Sequence, residues 1–410
     1  MVETTEIRYT IRLHTRVFRF LAVFGPGIVV MLADTDVGSI ITAGQSGVQW
    51  GYRLLPLQFA LMPVLFMAQE LTVRLGIHTK CGHGALICET FGRAWGWISL
   101  AALAVATLGA LLAEFSGMAA VGDLYGVSRL ISLPGAAAAL LAVVLTGSHH
   151  RVERVAIVLG LFEFAFFVVA WRTHPVAHAI LAQSVQFPLA DTRYLYLVAA
   201  NVGTVIMPWM IFYQQAAVAR KGLTPDQIGA ARADTAIGAV LTQLVMAAVL
   251  VACAATIGAA NPHASLDTIG EMAAALTPLL GVSTGRVVFS IGVLGAGMVA
   301  AIVASQGLAW GVEEVAGFRR APIPARWFNA FYALCVAGAA GLVAASPNLV
   351  ALTLAVQVMN ALLLPLELGL LVALSIRALP PDVRPRGAYL AVLIIVMTAM
   401  AGLGVLSFRI

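Results

Sequence analysis

Two short polar stretches interrupt apolar segments of the chain and carry side chains that could bind an ion. Residues 36–39 read Asp-Val-Gly-Ser, and residues 201–204 read Asn-Val-Gly-Thr, followed shortly by Met207. Carboxylate, hydroxyl and carbonyl oxygens suit a divalent cation, and a thioether shifts the preference toward softer transition metals. Neither stretch contains a lysine or an arginine. A cation therefore fits these residues better than an anionic substrate does.

The same two stretches are also where a helix would break. They match position by position in residue type, and in the second Gly203 and Pro208 lie about one turn apart. Glycine weakens a helix by about 1 kcal/mol and proline by about 3 kcal/mol. Irregular backbone inside a membrane persists only where it lines a cavity or binds something. Interrupted helices at corresponding positions of two halves are typical of a transporter's binding site, and Asp36 is its charged candidate.

The composition of the chain requires a membrane. Of its 410 residues, 61% are hydrophobic and only 10% are charged, whereas soluble domains carry about 25% charged residues. Twenty-four basic and 19 acidic side chains cannot cover a water-facing surface for a chain of this length. This excludes a soluble enzyme, a nucleic-acid-binding protein and a disordered chain. The four cysteines have no paired spacing, which argues against a disulfide framework or a zinc site.

The apolar stretches recur at lengths that span a bilayer, which takes about 20 residues. We predict an all-α polytopic membrane protein of about eleven spans in one domain, 1–410. The domain comprises a cytoplasmic segment (1–19), a first repeat (20–171), a second repeat (194–376) and an extra helix (387–408). The predicted spans are 20–45, 54–73, 95–121, 130–147, 155–171, 194–219, 235–259, 287–311, 327–345, 349–376 and 387–408.

Lysine and arginine in the connecting segments predict the orientation. With the N-terminus in the cytoplasm, 18 of the 24 basic residues fall in cytoplasmic segments and six fall outside. Basic residues favour the cytoplasmic side, so we expect a cytoplasmic N-terminus and an outward C-terminus. Because no cleavable signal sequence precedes the first span, that span would direct the chain to a membrane, predicted to be a bacterial plasma membrane.

Several stretches resemble the Nramp family of divalent-metal transporters. Residues 25–27, 36–39, 45–52 and 74–76 resemble its first two helices, and residues 201–208 resemble its sixth. Gln357 resembles a tenth-helix glutamine that family members use near the metal. The resemblance implies a LeuT-like inverted repeat of helices 1–5 and 6–10, with helices 1 and 6 broken. It also implies alternating access and a midplane site for manganese or iron, with no enzyme activity and no cofactor besides the transported metal.

The metal ligands implied by the resemblance are Asp36, Ser39, Thr204, Met207 and Gln357. Two of them depart from the family. Ser39 replaces an asparagine of the Asp-Pro-Gly-Asn motif, and Thr204 replaces an alanine of Ala-x-x-Met. The shorter hydroxyl of Ser39 leaves room for a hydrated ion such as Mg²⁺, which keeps several waters, whereas the retained Met207 favours a transition metal.

The residues linked to proton movement in the family are largely replaced. Trp209 and Gln214 stand where the family has histidines, and the third-helix Asp-Leu-Ala-Glu pattern becomes Leu-Leu-Ala-Glu, ending at Glu114. Asp34 is an acid where the family has none. The resemblance therefore does not support proton coupling in this chain by the family's usual route. Asp34, Glu114, Trp209 and Gln214 are candidates for handling protons or supporting the metal ligands.

The leading hypothesis is a secondary transporter that imports divalent cations, with Mn²⁺ and Fe²⁺ preferred. One alternative is a magnesium transporter of a related branch. Another is a transporter of a small organic solute or cation on the same fold, in which Asp36 would bind an amine or sodium. The expected partners are the bilayer, the metal ion and, if coupled, protons. The sequence leaves open the roles of Glu163 and Glu367 and the oligomeric state.

Overall fold

A computed structural model describes residues 25–145, 158, 160–261, 266, 270, 271, 281–317 and 325–407. The predicted cytoplasmic segment 1–19 lies outside them. All regular elements within these ranges are helical. In chain order the α-helices are α1 Pro26–Asp34, α2 Val37–Trp50, α3 Leu55–Thr79, α4 His83–Phe91, α5 Arg93–Leu124, α6 Arg129–Leu145, α7 Ala165–Arg172, α8 Ala177–Ser184, α9 Thr192–Val205, α10 Pro208–Lys221, α11 Ile228–Cys253, α12 Val282–Ala316, α13 Ala325–Ala345, α14 Leu349–Arg377 and α15 Gly387–Ser407.

The all-α membrane architecture is confirmed. Within the described ranges, seven helical spans are long and apolar enough to cross a membrane, and α1 with α2 forms an eighth that is bent by 48°. Two further apolar helices, α6 and α13, are shorter. The fifth predicted span, 155–171, is described only in part, as a 3₁₀ turn at Leu161–Phe164 followed by α7. Every predicted span therefore overlaps a helix.

The helix boundaries follow local chemistry at both interrupted spans. Helix α1 begins with Pro26, where the missing amide costs no helical hydrogen bond, and α10 begins with Pro208 for the same reason. Asp36 caps the N-terminus of α2 by accepting a hydrogen bond from the amide of Ser39. Helix α10 ends at Gly222, whose φ of 69° is unfavourable for other residues.

Two large apolar cores share the broken spans between them. One contains α1 residues from Ile28 to Ala33 together with residues of α3, α10 and α12, whereas the other contains Val37 and Ile40 of α2. Helix α9 contributes its N-terminal residues, such as Tyr194, to the core that contains Val37. Its C-terminal residues, such as Val205, belong to the core that contains Ile28. The breaks therefore lie where the two cores meet, and α11 packs against both α1 and α2.

Candidate functional site at the helix breaks

The first break leaves one oxygen of a buried carboxylate free. Helix α1 ends at Asp34, and Asp36 has an extended backbone with φ −77° and ψ 173°. The Oδ1 atom of Asp36 accepts a hydrogen bond of 2.6 Å from the amide of Ser39. Its Oδ2 atom is buried and has no partner in the described part of the chain. One oxygen of Asp36 thus holds the helix start, and the other is available to a ligand.

Ser39 lies on the first turn of α2, and its hydroxyl is already engaged. The Oγ atom donates a hydrogen bond of 2.8 Å to the carbonyl of Asp34. A hydroxyl that donates its proton still has lone pairs for a cation. This bond bridges the break and fixes the hydroxyl close to the backbone, where an asparagine side chain would extend further.

The second break is an extended pair of residues between α9 and α10. Ile206 has φ −132° and ψ 109°, and Met207 has φ −115° and ψ 145°. Met207 is fully buried. The hydroxyl of Thr204 donates a hydrogen bond of 2.7 Å to the carbonyl of Asn201, so its proton is also used locally. The carbonyl of Thr204 lacks the helical amide of residue 208, because proline has none.

Gln357 of α14 contacts both breaks. A Cβ atom added to Gly38 would overlap the Nε2 atom of Gln357, and one added to Gly203 would overlap its backbone carbonyl oxygen. These two glycines occupy the same position in the two matching tetrapeptides. The side-chain Oε1 atom of Gln357 accepts a hydrogen bond of 3.0 Å from Asn360, whereas its Nε2 atom is buried without a described partner. One residue therefore joins the two interruptions.

Further carboxylates lie around the first break. The Oε2 atom of Glu114 accepts a hydrogen bond of 3.3 Å from the amide of Val37, and the Glu114 carboxyl faces that of Asp36. Asp34 and Glu163 are also almost completely buried. None of the ion pairs among described residues includes any of these four acids. Buried charge without a counter-charge is costly, so the break is suited to a cation.

The other candidates lie away from this cluster. Gln214, on α10, donates a hydrogen bond of 2.9 Å to the hydroxyl of Thr235 at the start of α11. Trp209 is fully buried, and its indole nitrogen has no partner among the described residues. No three His, Cys, Asp or Glu side chains converge as a metal cluster in the described ranges. A cation at the breaks would therefore depend on Asp36 together with neutral donors.

Tertiary packing adds two polar residues that the sequence analysis did not single out, Asp234 and Gln58. The carboxylate of Asp234 on α11 accepts a hydrogen bond of 2.8 Å from the amide of Gly27, at the first turn of α1. The side chain of Asn201 accepts 2.6 Å from Gln58 and donates 2.8 Å to Ser46. The only sequence signal for either was a polar residue within or beside an apolar span. Glu367 accepts hydrogen bonds from Ser99 on α5.

Two interrupted membrane helices with a buried carboxylate at one break define a secondary-transporter architecture. The sequence profile of the family Nramp, described as natural resistance-associated macrophage protein-like, matches residues 27–408. The chain belongs to the Nramp family, whose members are transporters and not enzymes.

Relatives and solved structures agree with this assignment. The protein named divalent metal cation transporter MntH from Yersinia pestis (strain Pestoides F) is 28% identical over 311 residues, covering 74% of this chain and 75% of the relative. The MntH of Bradyrhizobium diazoefficiens is 26% identical over 301 residues, which are 70% of this chain and 66% of that one. The chain thus spans about two thirds of the Bradyrhizobium relative.

The solved structures with a similar fold cover more of this chain than the sequence relatives do. The structure of the Eremococcus coleocola manganese transporter, bound to an aromatic bis-isothiourea compound, has a TM-score of 0.75 at 17% identity and covers 95% of this chain and 86% of that chain. Mhp1, a nucleobase-cation-symport-1 family transporter, has a TM-score of 0.60 at 15% identity, covering 94% of this chain and 90% of that chain. The LeuT-like fold expected from the broken helices is confirmed.

Proposed function

We propose that this protein transports divalent metal cations, with Mn²⁺ and Fe²⁺ preferred, and that the ligands are Asp36, Ser39, Thr204, Met207 and Gln357. The observation that carries the proposal is the placement of Gln357 against both matching glycines, beside the carboxylate of Asp36, one oxygen of which has no described partner. A carboxylate, hydroxyls, an amide and a thioether form a mixed donor set that suits a borderline-soft divalent ion. The names of the MntH relatives support the same substrate class.

Alternating access would follow from the way the broken spans pack. Because α1 and α2 meet at a bend of 48°, a tilt of α1 relative to α2 would open one side of the break at a time. We propose the repeats to be 20–171 and 194–376, with the N-terminus cytoplasmic in a bacterial plasma membrane. In this orientation the hydrogen bond between Gly27 and Asp234 lies on the cytoplasmic side of the break.

We propose that transport does not use the family's usual proton route. Trp209 cannot accept and release a proton as a histidine does, and Gln214 is an amide bonded to Thr235. Internal pH during Mn²⁺ uptake tests this. We expect no acidification of proteoliposomes in step with uptake, and acidification that follows the Mn²⁺ flux would contradict it.

The decisive experiment measures Mn²⁺ uptake into proteoliposomes by Asp36→Asn and by the parent protein. Asparagine keeps an acceptor for the Ser39 amide but removes the charge. Loss of supporting residues around a metal costs 10–100-fold in affinity or activity, so loss of the only charged ligand should lower uptake by at least about 100-fold. The matched control is Glu367→Gln, because Glu367 is equally buried but bonded to Ser99. Parent-level uptake by Asp36→Asn would refute the site.

Magnesium is the second candidate, favoured by Ser39. Its hydroxyl is held against the Asp34 carbonyl, so it reaches less far into the site than an asparagine would. A larger site would accommodate an ion that retains some of its water. Competition of Mg²⁺ with Mn²⁺ uptake separates the two candidates: inhibition by Mg²⁺ at concentrations equal to those of Mn²⁺ would favour the magnesium function.

A further inference from the structure

A second pair of buried acids lies at the first break. Asp34 is the last residue of α1, and Glu163 lies in the 3₁₀ turn that precedes α7. Each is only 1% exposed. Both carboxylate oxygens of Asp34 and the Oε1 atom of Glu163 have no hydrogen-bond partner in the described ranges. Asp34 directly precedes Thr35, and Thr35 and Glu163 line the same small cavity, so the two acids lie near one another at the end of α1.

The region between them also provides hydroxyl and carbonyl oxygens. The hydroxyl of Thr35 donates a hydrogen bond of 3.2 Å to the carbonyl of Met31 and keeps its lone pairs for a cation. Thr35, Glu163 and Thr242 line a small cavity between α1, the 3₁₀ turn and α11. The last carbonyls of α1 end here, and the C-terminal end of a helix carries partial negative charge. Such half-helix ends coordinate monovalent cations in secondary transporters.

The negative charges of Asp34 and Glu163, when both are ionised, favour the binding of a cation. Two ionised carboxylates in an apolar interior repel each other and lose hydration, which is costly unless an opposite charge is present. Within the described ranges no arginine or lysine forms an ion pair with Asp34 or Glu163. The carboxylates of Glu70 and Asp123, by contrast, are paired with arginine. Asp34 and Glu163 therefore lack the arginine partners that Glu70 and Asp123 have.

We propose that Asp34 and Glu163, with Thr35, form a second cation site that binds a monovalent alkali ion, sodium in the first place. The donors are all oxygen atoms, which favour a hard cation. A monovalent ion is favoured over a second divalent one because Asp36 lies two residues from Asp34, and two doubly charged ions so close would repel strongly. This site is distinct from the ligand set at Gln357.

The role of this ion in transport rests on the proposed function, but its binding does not. Sodium bound at the end of α1 would neutralise the acids and hold α1 against α11 and the 3₁₀ turn. It would thereby supply a coupling ion in place of the missing histidines. A sodium gradient directed inward would then increase Mn²⁺ uptake.

Binding is tested on the purified full chain in detergent, with radioactive sodium as the probe and choline as the inert cation. We expect saturable sodium binding by the parent protein and at least a tenfold weaker affinity in Asp34→Asn and in Glu163→Gln. Glu367→Gln is the matched control and should bind like the parent. Melting temperatures in sodium-free buffer establish that each variant is folded. Sodium binding that is absent in the parent, or unchanged in either variant, would overturn the proposal.

Uptake assays separate the failure of this inference from the failure of the proposed function. Sodium binding that is lost in both variants, together with absence of Mn²⁺ uptake by the parent, would support the cation site and refute metal transport. Mn²⁺ uptake by the parent without measurable sodium binding would support metal transport and refute the second site. Where both hold, we expect a sodium gradient to raise Mn²⁺ uptake by the parent and not by Glu163→Gln.

Discussion

Glu70 and Asp36 are both fully buried carboxylates inside membrane helices, but their surroundings differ. Glu70 on α3 forms ion pairs with Arg74 at 2.6 Å and with Arg232 at 3.2 Å, and it accepts a hydrogen bond of 3.3 Å from the hydroxyl of Tyr389. Asp36 has a backbone amide for one oxygen and no described partner for the other. The first arrangement stabilises the fold, and the second leaves binding capacity for a ligand.

The paired region also connects distant parts of the chain. Through Glu70, helix α3 is linked to the start of α11 and to α15, and Arg74 donates a further hydrogen bond of 2.9 Å to the carbonyl of Val383. A buried charge is tolerated there because every partner is present. At the helix breaks these partners are missing by the same criterion, and a bound cation would take their place.

The largest effect on stability is expected from Glu70→Gln. The change removes the charge that holds two arginines, and breaking a buried charged pair costs 3–5 kcal/mol. Because Arg232 is about half exposed, we expect about 2 kcal/mol, seen as a melting temperature lower by several degrees. Asp34→Asn in sodium-free buffer is the comparison, and it should leave the melting temperature unchanged or higher. Equal losses in the two variants would show that the acids at the break are paired after all.

A graded effect is expected from alanine at the two matching glycines. The added Cβ of Gly203→Ala meets the backbone of Gln357 and Ala361, which cannot move independently, whereas that of Gly38→Ala meets a side-chain amide. Alanine favours a helix more than glycine does, and this offsets part of the clash. We therefore expect Gly203→Ala to lower the free energy of unfolding by about 1 to 2 kcal/mol. Gly38→Ala should change stability less and raise the KM for Mn²⁺, because it displaces the amide of Gln357. The reverse order would show that Gln357 does not lie at the breaks.

A smaller effect, on selectivity alone, is expected from Met207→Ala. Loss of the thioether should lower the preference for Mn²⁺ over Mg²⁺ by about tenfold, or about 1.4 kcal/mol. The measurement is the ratio of inhibition constants in an uptake assay. Met210→Ala is the matched control, since Met210 is equally buried one turn further along α10. An unchanged ratio in Met207→Ala would mean that Met207 only fills space.

The smallest effect is a dependence of stability on pH. It comes from His83, a buried titratable group whose hydrogen-bond partner is neutral. His83 of α4 lies outside the membrane spans, and its Nδ1 atom is 2.8 Å from the Oε1 atom of Gln215. Burial lowers the pKa of His83 from 6.5 to about 4. The stability from neutral His83 is therefore complete above about pH 6.5 and is lost as the pH falls toward 4.

The check is the melting temperature of the parent and of His83→Gln, each at pH 7.5 and pH 5. We expect the parent to lose a few degrees more than the variant between these values. Parallel curves would mean that folding does not lower the pKa of His83.

Much of this protein could be predicted from local sequence. Composition established a polytopic helical membrane protein, and the polar stretches located the first break at Asp36 and the second within residues 201–209. The structure has the second break at Ile206 and Met207, whereas residues 201–204 are still helical. Both predictions succeed because hydropathy, glycine, proline and N-capping act over one or two helical turns. The ligand set remains a prediction, although the structure places Gln357 beside both breaks.

The tertiary structure alone decided which polar groups are paired. Asp234 and Gly27 are 207 residues apart in the sequence, and nothing local indicates that they meet. Asp34 and Glu70 are both acids in apolar surroundings, yet only Glu70 has arginines in contact. Whether a buried carboxylate has a positively charged partner depends on which helix packs against it. That is set by the packing of distant helices and not by the residues next to it in the chain.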